Sequence, residues 1–127
     1  MQGARPVLKI KLQILCGDEI AMGPGKADLI EAIAAHGSIS AAARAIGMSY
    51  RRAWLLVDTL NRCWKEPIVE TAPGGTARAG ARVTAFGKDV LGHYRALQER
   101  AGTLENAVDW TGLEPLLRVQ PQARKSG

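Results

Sequence analysis

Between Ile39 and Leu60 the chain puts small residues where two helices must touch and a glycine where the backbone must reverse. Counting Ile39 as the first position, the fifth is Ala43 and the ninth is Gly47, which suit close helix approach and a left-handed turn. Ser38 or Ser40 can cap a short helix over residues 41–46, and Ser49 can cap a longer one from Tyr50 to about Trp64, which Pro67 stops. Apolar slots fall at Ala42, Ile46, Met48, Ala53 and Leu56, which are predicted to be buried. The second helix has Ala53, Leu56, Val57, Leu60 and Trp64 on one side. Arg51, Leu55, Asp58 and Arg62 lie on the other, flanked by Tyr50 and Arg52. That is the pattern of a helix-turn-helix, whose second helix projects into the major groove of a duplex, about 12 Å wide. Two ordinary core helices joined by glycine are the plain alternative. They leave the charged, hydrogen-bonding outer turn unexplained.

The flanking segments extend the motif. Leu8-Lys-Ile-Lys-Leu-Gln-Ile alternates strictly and predicts a half-buried strand over residues 8–14. Leu29, Ile30, Ile33 and Ala34 recur at helical spacing over residues 25–36, with Pro24 at the start and Gly37 at the end. After Pro67, short strands over 68–71 and 81–84 bracket a basic, glycine-rich tip, a hairpin in form. Thr84 can cap a last helix, in which Phe86, Val90, Tyr94, Leu97, Ala101, Leu104 and Val108 form a seam suited to pairing two helices. The order predicts a mainly α fold with a small β component: a winged helix-turn-helix with an N-terminal strand and a long C-terminal dimerisation helix. Residues 1–110 form the expected domain and residues 111–127 a loosely structured tail.

Charge sharpens the picture because it is localised. Residues 44–100 hold ten Lys and Arg against five Asp and Glu, whereas the segments before and after are each balanced, so the whole net charge of +5 lies in the middle. A polyanion is the partner such a section attracts. No apolar run is long enough to span a bilayer and no secretory signal opens the chain, so a cytoplasmic protein without membrane contact is expected. Cys16 and Cys63 are far apart in sequence, lack metal-ligand spacing and are expected to be reduced and mostly buried. His36 and His93 form no catalytic or zinc-binding arrangement, so neither an enzyme nor a bound cofactor is expected.

The candidate DNA-contacting residues follow from position. Adjacent Arg51 and Arg52 opening the second motif helix suit one bidentate base contact and one phosphate contact. Ser49 caps, and a capped helix N-terminus can also hold a phosphate. Tyr50 either packs on Trp54 or reaches the DNA backbone; Trp54 reads as structural. Ser40 and Arg44 on the first motif helix, and Thr76, Arg78 and Arg82 in the wing, complete the set. The dimer interface is expected at Val90, Tyr94, Leu97, Ala101 and Leu104.

Gly37-Ser-Ile-Ser, Gly47-Met-Ser-Tyr-Arg-Arg-Ala-Trp, and Gly74-Gly-Thr-Ala-Arg-Ala-Gly-Ala-Arg-Val-Thr-Ala-Phe-Gly resemble the N-terminal winged-helix domain of molybdate-responsive transcription regulators, the ModE family, related to LysR-type DNA-binding domains. The resemblance covers roughly residues 8–107. It implies a bacterial-type regulator, such as a repressor, binding a palindromic double-stranded operator as a homodimer, with Ser49, Tyr50, Arg51 and Arg52 at the groove and Arg78 and Arg82 in the wing. Family members continue into molybdate-binding modules, for which a chain ending at Gly127 has no room. Molybdate sensing is therefore not expected here, and a separate sensor protein is one way the chain is controlled. The competing function is a winged-helix module that docks proteins through its last helix and does not read DNA.

Overall fold

The computed structural model describes residues 5–72 and 80–125. These divide into a unit of Lys11–Gln98 and a smaller one formed by the chain ends, from Glu99 onward together with the residues up to Ile10.

The larger unit opens with a hairpin of β1 (Ile14–Cys16) and β2 (Glu19–Met22), paired antiparallel with Cys16 opposite Glu19. The predicted strand over 8–14 is thus mostly absent. Its alternation persists only as burial, with Leu12 and Ile14 half-buried and Gln13 exposed. Strand pairing needs a partner, and β2 offers just four residues, the last two of which sink into the core as Ala21 and Met22. Helix α1 (Pro24–His36) has proline in its first turn and ends at Gly37, whose N–H donates to the Ile33 carbonyl at 2.8 Å. Leu29, Ile30 and Ile33 are fully buried; Ala34 is exposed.

Helices α2 (Ile39–Ala45) and α3 (Tyr50–Cys63) follow. The Ser38 hydroxyl caps α2 by accepting from the Ala41 N–H at 3.1 Å, so of the two candidate serines it is the earlier one that caps. Gly47 takes φ +70°, a conformation costly for any residue with a Cβ, and the Met48 N–H then reaches back to the Ala43 carbonyl at 2.8 Å. Ala42, Ala43 and Ala53 are buried where these helices meet. Met48 and Leu56 are half-buried at the core edge, but Ile46 is 38% exposed. The reason is local: Ile46 is the residue that leaves α2 and no longer follows the helical face.

Strands β3 (Val69–Thr71) and β4 (Ala81–Val83) pair antiparallel with Glu70 opposite Arg82. The Ala81 N–H also donates to the Gly37 carbonyl at 2.8 Å, fixing this hairpin to the end of α1. Helix α4 (Ala85–Gly102) starts on Thr84, whose hydroxyl oxygen accepts from the Gly87 N–H at 2.8 Å. One core unites α1, α2, α3, both strands of the second hairpin and Tyr94 of α4. Arg95 of α4 holds Asp28 and Glu31 of α1 at 2.8 and 2.7 Å.

In the smaller unit, the seam predicted to run unbroken to Val108 stops at Gly102. A 3₁₀ turn (Thr103–Asn106), a short helix α5 (Val108–Leu113) and a second 3₁₀ turn (Glu114–Leu116) follow. Glycine and threonine in succession are poor helix formers, which accounts for the break. The part of these turns over 111–116 falls in the stretch 111–127 expected to be a loosely structured tail. The described architecture is mainly α with a small β component and one long helix near the C-terminus.

Candidate nucleic-acid interface

Helix α3 is anchored at its C-terminal half and exposed at its N-terminal turn. Its inner face buries Ala53, Val57 and Leu60. Asn61 then ties it to the second hairpin: the side-chain amide donates to the Val69 carbonyl at 2.9 Å, and its oxygen accepts from the Ile68 and Val69 N–H groups at 2.8 and 3.1 Å. The Trp64 indole N–H donates to the Ala21 carbonyl of β2 at 2.9 Å. Arg62 spans Asp58 on its own helix and both carboxylate oxygens of Glu19. The hydrogen bond from Arg62 lowers the Glu19 pKa below its ordinary 4.5, while Glu19 and then Asp58 hold the Arg62 guanidinium still more firmly charged.

At the other end the Ser49 hydroxyl accepts from the Arg52 N–H at 3.1 Å and caps α3. Tyr50, Arg51 and Arg52 stand exposed in the first turn. Tyr50, Arg51, Trp54 and Leu55 line one shallow depression, and Ser49, Arg51, Arg52, Leu55 and Leu56 line its neighbour. Positive side-chain charge here adds to the partial positive charge of the helix N-terminus. Lys26 of α1 has its pKa lowered, first by burial and further by the like charge of Arg52. No carboxylate pairs with Arg44, Arg51 or Arg52 among the described residues. The basic excess of the middle section is therefore unevenly available: Arg62, Arg82 and Arg95 are neutralised, and these three are open.

The structure thus gathers Ser49, Tyr50, Arg51 and Arg52 into one surface. Ser40 and Arg44, four residues apart, share an exposed side of α2. Arg82 does not join them; it is held at 2.6 Å by its cross-strand partner Glu70 and lines a separate depression with Gly37 and Asn61. Thr76 and Arg78 lie outside the described residues. Of the expected dimer seam, Tyr94 must be removed. It is 1% exposed, and its hydroxyl donates to the Leu12 carbonyl at 2.8 Å, so its ring is spent inside its own chain. Val90 also packs on that core, Ala101 is half-buried, and Leu97 and Leu104 are exposed.

Three residues escaped the sequence reading. Asn61 and Glu19 carry no local signal, since their partners are distant in sequence. Trp54, taken as structural, is 49% exposed and stands beside Leu55 at 47%. The α3 wheel itself contained this clue, because Trp54 lies outside the stripe of Ala53, Val57 and Leu60. The two cysteines are likewise neither remote nor deeply buried. Cys16 is exposed, Cys63 is half-buried, and burial first, with the neighbouring Cys16 adding to it, pushes the Cys63 thiol up. Among the described residues no group of three or more potential metal ligands occurs, and no helix is long and apolar enough to cross a membrane.

No family model matches the chain. Individual relatives do. It is 43% identical over 91 residues to the molybdenum-pterin-binding protein MopA of Rhodobacter capsulatus, a match covering 68% of this chain and 34% of the relative. It is 37% identical over 78 residues to the molybdenum transport protein ModE of Azotobacter vinelandii, covering 61% and 29%. With the DNA-binding transcriptional dual regulator ModE of Escherichia coli strain K12 it shares 32% identity over 96 residues, covering 76% and 35%. Over the matched segment the chain is homologous to ModE and Mop proteins. It spans about a third of the length of these relatives, so the family relation extends to the shared segment. The relatives are named as regulators and molybdenum-binding or transport proteins, and none of these names is that of an enzyme.

Proposed function

We propose that this chain is a sequence-specific double-stranded DNA-binding module of a transcription regulator, acting as a homodimer through a winged helix-turn-helix. The observation that carries the reading is the state of α3: its far arginine is locked to Glu19 and Asp58, while Arg51 and Arg52 on its capped first turn are exposed and unpaired among the described residues. A helix held at its C-terminal half and open at its N-terminal turn suits entry into a major groove with that turn foremost. Arg51 is assigned a base edge and Arg52 a phosphate; Ser40, Arg44, Ser49 and Tyr50 lie near enough in the motif to serve the backbone. The regulatory name of the Escherichia coli relative points the same way. Dimerisation is assigned to the exposed side of α4 at Leu97, and a dimer would select a palindromic operator. Molybdenum binding belongs to the relatives' names and is not proposed for these residues.

Selection of bound duplexes from a random pool tests this reading. A palindromic consensus, with affinity falling by a slope of about −0.9 per neutralised phosphate as salt rises, is the expected result. The second reading, a protein-docking module, draws on the exposed Tyr50, Trp54 and Leu55. It predicts no enrichment of any duplex at about 50 mM salt, where phosphate contacts are strongest.

A further inference from the structure

The exposed side of α3 is unusual for a surface meant only to attract phosphate. Positions 51, 54, 55, 58 and 62 form one stripe along the helix, and its distal end is closed by the Asp58–Arg62–Glu19 cluster. At the proximal end, Trp54 and Leu55 present about half of their surface to solvent beside Tyr50, which is 56% exposed. Arg51 and Leu55 line both depressions on this face, so the apolar groups are continuous with the cationic turn. Large apolar side chains exposed as a contiguous patch mark a binding surface. The bordering Arg51 and Arg52 select an anionic partner that also offers small apolar groups. In the major groove only thymine offers one at its base edge, the C5-methyl group.

We propose that Trp54 and Leu55 are specificity-determining residues that read thymine methyl groups next to the base pair contacted by Arg51. This rests on the DNA-binding reading above and adds to it a division of labour on one helix face. Arg51 reads hydrogen-bond acceptors, whereas Trp54 and Leu55 read shape and apolarity one turn further along. The half-site should accordingly contain thymine beside the base that depends on Arg51. Cytosine, which has hydrogen at the same ring position, would leave both side chains facing an unfilled gap.

The test uses the duplex selected from the random pool, with each thymine replaced in turn by deoxyuridine, which lacks only the methyl group. The wild-type protein should bind about fourfold more weakly for each contacted methyl removed, the loss expected for about one buried methyl-sized group. Trp54→Ala and Leu55→Ala should bind thymine and uracil duplexes alike, with the salt slope unchanged. Arg51→Ala should keep the thymine preference while losing discrimination at the neighbouring base. Equal binding of thymine and uracil duplexes by the wild-type protein, while it still prefers its consensus, overturns this proposal and leaves DNA reading intact. Failure to bind any duplex at about 50 mM salt overturns both. Because the decisive comparison changes the DNA and not the protein, it does not depend on how well any variant folds.

Discussion

Arg62 of α3 grips Glu19 of β2 with two guanidinium nitrogens, at 2.5 and 2.8 Å, across 43 residues of sequence. The two-pronged geometry fixes orientation as well as distance. A residue on the outward stripe of α3 is thereby committed to holding that helix against the first hairpin. The lowered pKa of Glu19 gives the sign of its pH dependence. A carboxylate whose pKa is depressed on folding contributes stability above its unfolded value, and that contribution disappears as pH falls through the folded value. Glu19→Gln should therefore flatten the fall in thermal stability below about pH 4.5 while leaving the salt slope of DNA binding unchanged. A slope reduced by about 0.9 in Arg62→Ala would show that Arg62 contacts phosphate after all.

Arg51 and Arg52 should separate in a binding assay although they are neighbours. Arg52→Ala is expected to weaken binding to all duplexes and to reduce the salt slope by about 0.9, whereas Arg51→Ala should relax preference at one base pair. Arg82→Ala should do little, because Glu70 already neutralises that charge. Competition against random and consensus duplexes at several salt concentrations reads all three.

Gly87 lets α4 pass directly over the second hairpin. A Cβ there would stand 2.5 Å from the Ile68 carbonyl oxygen, an atom of the backbone that cannot turn aside. Gly87→Ala should destabilise by about 1–3 kcal/mol in chemical denaturation. Gly92 sits on the same helix with nothing within 4 Å of the added carbon. Gly92→Ala should stabilise by about 0.5–1 kcal/mol, since alanine costs less helix entropy. Equal effects from the two would remove the close approach as the explanation.

Tyr94 and Leu97 are three residues apart and should report on different things. Tyr94→Phe deletes the hydroxyl that donates to the Leu12 carbonyl and should cost about 1 kcal/mol of stability with no change in oligomeric state. Leu97→Asp puts a charge on an exposed position and should leave the fold intact while shifting sedimentation from dimer to monomer. A dimer that survives Leu97→Asp would move the interface away from this side of α4.

What the sequence determined was whatever depends on neighbours in the chain. Ser38, Ser49 and Thr84 cap helices within three residues, Gly37 and Gly47 take left-handed turns, and the buried face of α3 repeats with the helical period. Hydrogen bonds and steric limits at that range are written in residue order, so α1, α2, α3 and the second hairpin could be placed within a residue or two. The tertiary structure decided which partners distant groups would choose. Alternation at 8–14 could not reveal that its strand partner is only Glu19–Met22, nor could a helical seam reveal that Tyr94 turns inward to Leu12. It decided the candidate interface in the same way. Arg51, Arg52 and Arg62 look alike as sequence, but only Arg62 meets Glu19, and that ion pair leaves the exposed first turn of α3, with Trp54 and Leu55 beside it, as the surface open to a partner.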